Sequence, residues 1–209
     1  MNNLEILNGI RHLKNNDYKM RYIIENSSQY SITPSKKYFE SLVTSIIGQQ
    51  LSIHAANKIV ERFQNYFSGK FLPKLILDTD TEELRKLGIS YSKIKYIKDL
   101  SAKIESMEIT FKGITTKTDE EIIELLTKVK GIGVWTAQMF LIFTLARLNV
   151  LPTGDLGIKK AIKTIYSLKE LPSEIKVEKI SKKNKWGPYN SIAAWYLWKS
   201  LDEKIAIPK

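Results

Sequence analysis

Apolar residues recur along this chain at the three-and-four spacing of amphipathic helices. In "SKKYFESLVTSIIGQQ", Phe39, Leu42, Val43, Ile46 and Ile47 form one stripe. Gly48 interrupts it, and Ser52 is placed to cap a second helix running to Phe63. "DTDTEELRKLGISYSKIKYIKDLSAKI" predicts two more helices. The first opens with Asp80 and Glu83 as a capping box and stops at Gly88; the second turns Ile94, Ile97 and Leu100 inward. Thr118 and Glu121 form another capping box, before an apolar face of Ile122, Leu125, Leu126 and Val129. Beyond two glycines the stripe resumes with Phe140, Leu141, Thr144, Leu145 and Leu148, and further helices are predicted near 155–166 and 188–202. The only β-like stretch, "MEITFKG", is short. The pattern predicts an all-α fold of about ten helices, with no low-complexity linker and no long internal repeat.

The glycine interruption "VKGIGVWTA" (Val129 to Ala137) is the most informative turn. Gly131 and Gly133 permit positive φ, so the chain can reverse tightly, and Ile132 between them is placed to plug inward. Two roles fit such a turn. The glycines cap two helices, or they also uncover amides at the start of the second helix. There the helix dipole and the unpaired N–H groups favour a phosphate.

Composition narrows the choice. Against 33 Lys and Arg stand 22 Asp and Glu, a net charge of +11, which favours a polyanionic partner such as nucleic acid. Together with the flanking Lys130 and Thr136, that charge favours phosphate binding over simple capping. The chain has no cysteine, so disulfides, thiolate catalysis and cysteine-held zinc or iron–sulfur clusters are excluded. Two histidines, His12 and His54, are too few for a His-only metal site, and no side-chain metal site is expected. The opening "MNNLEILNGI" lacks the basic stretch and apolar core of a signal peptide, and no apolar run approaches the ~20 residues of a membrane span. A cytoplasmic protein without membrane contact is expected.

Five segments, in order over residues 35–202, resemble the helix-hairpin-helix (HhH-GPD) DNA glycosylase superfamily. They are "SLVTSIIGQQLSIHAANKI", "LRKLGISYSKIKYIKDL", "LLTKVKGIGVWTAQMFL", "VLPTGDLGIKKAI" and "GPYNSIAAWYLW". Within it the chain resembles the alkylpurine (3-methyladenine) DNA glycosylase II group. The resemblance implies one glycosylase unit over 1–209, with two helical lobes flanking a cleft and the hairpin motif at about 119–147. Asp155 and Trp135 are expected at the cleft mouth, and a monomer acting on double-stranded DNA that carries a damaged base is expected.

Asp155 precedes a predicted helix and is a favoured N-cap, a role that would hold its carboxylate rigidly. The resemblance makes it also the catalytic acid. Most glycoside hydrolases need two carboxylates, one to protonate the leaving group. A base alkylated on a ring nitrogen is cationic and leaves without protonation. One carboxylate can then stabilise the oxocarbenium-like sugar or orient the attacking water. Bifunctional relatives carry a Schiff-base lysine two residues after the second glycine; here that position is Trp135, so no lyase activity is expected.

The resemblance also puts Trp135, Met139 and Trp198 in the base pocket; packing in the interhelical core is the lesser alternative for Trp135. It assigns phosphate binding to Lys130, Gly131, Gly133 and Thr136, with a monovalent cation (Na+ or K+) on hairpin carbonyls and no other cofactor required. The residue filling the gap left by a flipped base falls among Gln49, Gln50 and Leu51, with Gln50 favoured. Asn190 stands where relatives commonly carry arginine, and Met139 where some carry an aromatic. Lys159, Lys160 and Lys163, and Lys182, Lys183 and Lys185, either face DNA phosphates or are solvated faces. Two alternatives remain: a glycosylase for deaminated or oxidised bases, or a non-catalytic DNA-binding hairpin module.

Overall fold

The computed structural model describes residues 3–205. The chain divides into two compact units. A terminal unit combines the residues up to Pro34 with those from Leu141 onward; a middle unit spans Ser35–Phe140. The terminal unit starts with α1 (Asn3–Asn16) and α2 (Tyr18–Asn26). The middle unit holds α3 (Tyr38–Gly48), α4 (Ile53–Tyr66), α5 (Pro73–Asp78), α6 (Thr81–Lys86), α7 (Tyr91–Glu105), α8 (Asp119–Thr127) and α9 (Val134–Met139). The terminal unit then resumes with α10 (Leu156–Ile165), α11 (Glu174–Lys183) and α12 (Asn190–Asp202). No strand occurs among the described residues, so the fold is all-α.

Most predicted boundaries hold for local reasons. Ser52 caps α4 through the Ala55 N–H. Thr118 and Glu121 form the reciprocal capping box of α8, at 3.2 and 2.6 Å. Asp80 departs from expectation. Its carboxylate accepts from the Glu82 N–H at 2.7 Å, while Glu83 pairs with Lys86 at 2.6 Å, so α6 has a single cap rather than a box. A lysine one turn on outcompetes the backbone amide for Glu83.

The helix after the hairpin also departs. Instead of running to Leu148, α9 stops at Met139 and widens into a π-turn over Phe140–Thr144. Ala146 takes a left-handed φ of 55°, and the Arg147 N–H closes the end onto the Leu141 carbonyl at 2.9 Å. Leu141 and Ile142 on this turn are both fully buried. The helices α1, α2, α5 and α11 were not read from the pattern.

In the terminal unit, α12 buries Ser191 through Leu197 and packs on α10, α2 and α1. Buried on every side over that stretch, it is the central helix of that unit. Asp17, nearly buried, caps α2 through the Lys19 and Met20 amides at 3.0 and 3.1 Å. It also accepts from the Trp186 indole at 2.9 Å and from the Tyr166 hydroxyl. In the middle unit, α7 has the central place, packing on α5, α3 and α6 through Ile94, Ile97 and Leu100. No helix among the described residues is long and apolar enough to cross a membrane.

Candidate active site

Asp155 belongs to the terminal unit and sits at the N-cap of α10. It is 9% exposed, and its Oδ1 accepts from the Ile158 N–H at 2.7 Å and the Trp198 indole N–H at 2.9 Å. A carboxylate at a helix N-terminus faces that end's partial positive charge, and two directional donors fix its plane. The close approach of Trp198 depends on Gly157, whose added Cβ would lie 3.0 Å from both Asp155 Oδ1 and Trp198 Cδ1. Phe143, half-exposed on the π-turn, lies tilted against Trp198, with ring centroids 5.6 Å apart and planes at 31°. Asp155, Trp198 and Phe143 thus form a carboxylate with an aromatic flank. Gly157 and Phe143 were not found from the sequence. A glycine inside a helix's first turn was the available sign of a close approach.

The middle unit carries the hairpin. Gly131 takes φ +82°, and a Cβ there would fall 2.1 Å from Tyr96 Cδ2. Gly133 departs from expectation: at φ −95° and ψ 177° its backbone is extended, and it caps α9 without using the left-handed region. Nothing lies within 4 Å of where its Cβ would be. The protein itself therefore makes no demand for glycine at 133; open space in front of the α9 terminus is what the missing side chain provides. Ile132 plugs inward as expected, 4% exposed. The Lys130 N–H donates to Asp99 Oδ2 at 2.9 Å, and its ammonium, on an exposed side chain, is 4.0 Å from the same carboxylate. Thr136 is buried, its hydroxyl 3.5 Å from Gln49 Nε2 and turned to the protein rather than to solvent.

Trp135 is 46% exposed, which separates it from an interhelical core residue, and Met139 at the end of α9 is half-buried. Of the three wedge candidates, Gln49 turns its side chain back to the Gly131 carbonyl at 2.8 Å. Gln50 and Leu51 are exposed, and Gln50 holds a left-handed φ of 57°. Lys93 donates to the Ile47 and Gln49 carbonyls, both at 2.7 Å, and burial pulls its pKa below the ordinary lysine value.

Several of the remaining residues have structural partners. Trp186 and Trp195 are core, and Asn190 links Ser181 and Asn149, both at 2.7 Å. Lys159 lies 3.9 Å from Glu174, whereas Lys182, Lys183 and Lys185 are exposed at the C-terminal end of α11.

The all-α chain thus carries a helical hairpin in one unit and a capped, aromatic-flanked aspartate in the other. The chain belongs to the HhH-GPD superfamily of base excision DNA repair proteins, whose family model matches residues 43–186. It is 34% identical to the alkylbase DNA glycosidase-like protein mag2 of Schizosaccharomyces pombe, over 90% of each chain. It is 35% identical to DNA-3-methyladenine glycosylase 1 of the same yeast, over 90% of this chain and 85% of that protein. The solved structure of the yeast 3-methyladenine DNA glycosylase Mag1 in complex with abasic DNA matches with a TM-score of 0.84 and 33% identity. It covers 97% of this chain and all of that one.

Proposed function

We propose that this protein is a monofunctional DNA glycosylase that removes N-alkylated purines from duplex DNA by hydrolysing the N-glycosidic bond. The observation that carries the reading is the Asp155 carboxylate, fixed by Ile158 and Trp198, in a chain this similar to proteins named for alkylbase and 3-methyladenine excision. Asp155 stabilises the positive charge that develops on the sugar, or orients water onto it. A second carboxylate is not needed when the base already carries a positive charge.

The flipped base stacks on Trp135, whose electron-rich ring favours a cationic partner, with Met139 one turn along the same helix. The first-turn amides of α9, opened by Gly133, bind a phosphate beside Gly131 and the Lys130 ammonium. A monovalent cation, when bound, would be held by hairpin main-chain carbonyls and would supply positive charge beside that phosphate. Gln50 or Leu51 fills the vacated space, while Gln49 braces the turn behind them. Trp135 has no amine with which to form a Schiff base, so the abasic product leaves with its strand intact. The enzyme acts as a monomer and in the cytoplasm.

The test incubates wild type and Asp155→Asn with methylated DNA and measures free base. The wild type should release it, and the variant should be slower by about 100-fold or more. No release by the wild type, or equal release by both, would refute the assignment. Strand breaks should require alkali; breaks without it would contradict the monofunctional reading.

A further inference from the structure

We propose that one edge of α7, formed by Lys93, Tyr96 and Asp99, is a positioning device that locks the wedge turn to the hairpin, with Lys93 as its key residue. The inference rests on the glycosylase reading above and adds to it the residues that set the wedge.

Lys93, Tyr96 and Asp99 follow at intervals of three, so they share one side of α7 over about 9 Å. Each engages a different part of the two loops. Lys93 Nζ donates to the Ile47 and Gln49 carbonyls at the end of α3, groups with no donor left inside their own helix. The Tyr96 ring fills the space beside Gly131 where any Cβ would collide. Asp99 accepts the Lys130 N–H at the entry to the hairpin. A carboxylate beside a phosphate-binding loop opposes anion binding through space, so holding the turn accounts better for its presence than ligand contact does.

Gln49 completes the lock. With its carbonyl pinned by Lys93, its side chain crosses to the Gly131 carbonyl, and the turn closes through the Leu51 N–H to the Gly48 carbonyl at 3.1 Å. Gln50 is left exposed in a left-handed conformation that a residue with a Cβ rarely adopts. Such a conformation persists where its surroundings over-determine it, and here both neighbours in the turn are tied down. A side chain that displaces a paired base works against unstacking and unpairing, so its mount must not yield.

The experiment compares single-turnover excision of one alkylated purine in two duplexes, one with a normal partner base and one with an abasic gap opposite. Only the first requires a pair to be broken. Lys93→Met removes the ammonium while keeping chain length and apolar bulk. It should slow excision from the paired duplex by about 10- to 100-fold and leave the gapped duplex within about threefold of wild type. Lys93→Arg should restore part of the loss. Gln49→Leu, at a half-buried site, tests the same lock if Lys93→Met does not fold. Equal slowing on both duplexes, or no slowing on either, by a folded variant would overturn the inference. A wild type that excises from neither duplex would instead refute the glycosylase reading.

Discussion

The two hairpin glycines should respond in opposite ways to the same substitution. At Gly131, alanine must hold φ +82°, which costs about 1–2 kcal/mol for a residue with a Cβ. Its Cβ would also be placed 2.1 Å from Tyr96 Cδ2, well inside contact distance. Moving a packed ring or the turn to relieve such an overlap costs about 1–3 kcal/mol. The reduced entropy of the unfolded alanine chain offsets at most about 1 kcal/mol. Gly131→Ala should therefore lose about 2–4 kcal/mol, a fall in Tm of roughly 5–15 °C for a chain of this size. Gly133→Ala meets open space at φ −95°, so its loss as an N-cap is balanced by the entropy gain, and its Tm should stay within about 2 °C.

DNA binding should reverse the order of severity. A methyl group at 133 stands in front of the α9 amides, and affinity for an abasic duplex should drop about fivefold or more. The assays are thermal melts by circular dichroism and fluorescence anisotropy at fixed salt. Combining Gly131→Ala with Tyr96→Ala should recover the clash but not the backbone cost, giving a coupling energy of about 1 kcal/mol or more. A Gly131→Ala protein that melts with the wild type would refute the close approach of Tyr96. A Gly133→Ala protein that binds DNA as tightly as wild type would refute the phosphate site.

Three further outcomes are expected. Trp198→Phe keeps an aromatic ring, smaller than the indole, but removes the N–H from which Asp155 accepts; single-turnover excision should slow about tenfold, and Gly157→Ala, which leaves the indole whole, should slow it likewise by crowding both groups. Asp17→Ala leaves the Trp186 indole and the Tyr166 hydroxyl without their shared acceptor in the core, and thermal melts should report a loss of about 2–5 kcal/mol. Burial, with Tyr196 nearby, pushes Tyr30 up to about 12, and burial with the Asp17 carboxylate pushes Tyr166 higher still. Both phenols keep their protons in the fold after the unfolded chain begins to lose them. Their contribution to stability is therefore whole below pH 10 and falls as pH rises from 10 to about 12 and beyond. Burial raises Tyr196 as well, so absorbance at alkaline pH should show these three tyrosines titrating late; a single transition near pH 10 would contradict the burial.

The sequence by itself determined the features whose causes are local. The helical periodicity of α3, α7 and α8, the Ser52 cap and the Thr118–Glu121 box lie within four residues of their effects. The ordered motifs placed Asp155 at a helix start and Trp135 behind the hairpin, because such motifs set the backbone directly. Local signs misled at Asp80, where a neighbouring lysine competed for Glu83, and at Gly133, where permission for positive φ was not used. Only the tertiary structure decided which glycine is crowded, which glutamine is tied down, and what holds Asp155. Tyr96 reaches Gly131 across 35 positions, Gln49 reaches Gly131 across 82, and Trp198 reaches Asp155 across 43. Contacts of that range depend on how whole helices pack. Packing depends on the summed shape of many side chains, which no short stretch of sequence contains.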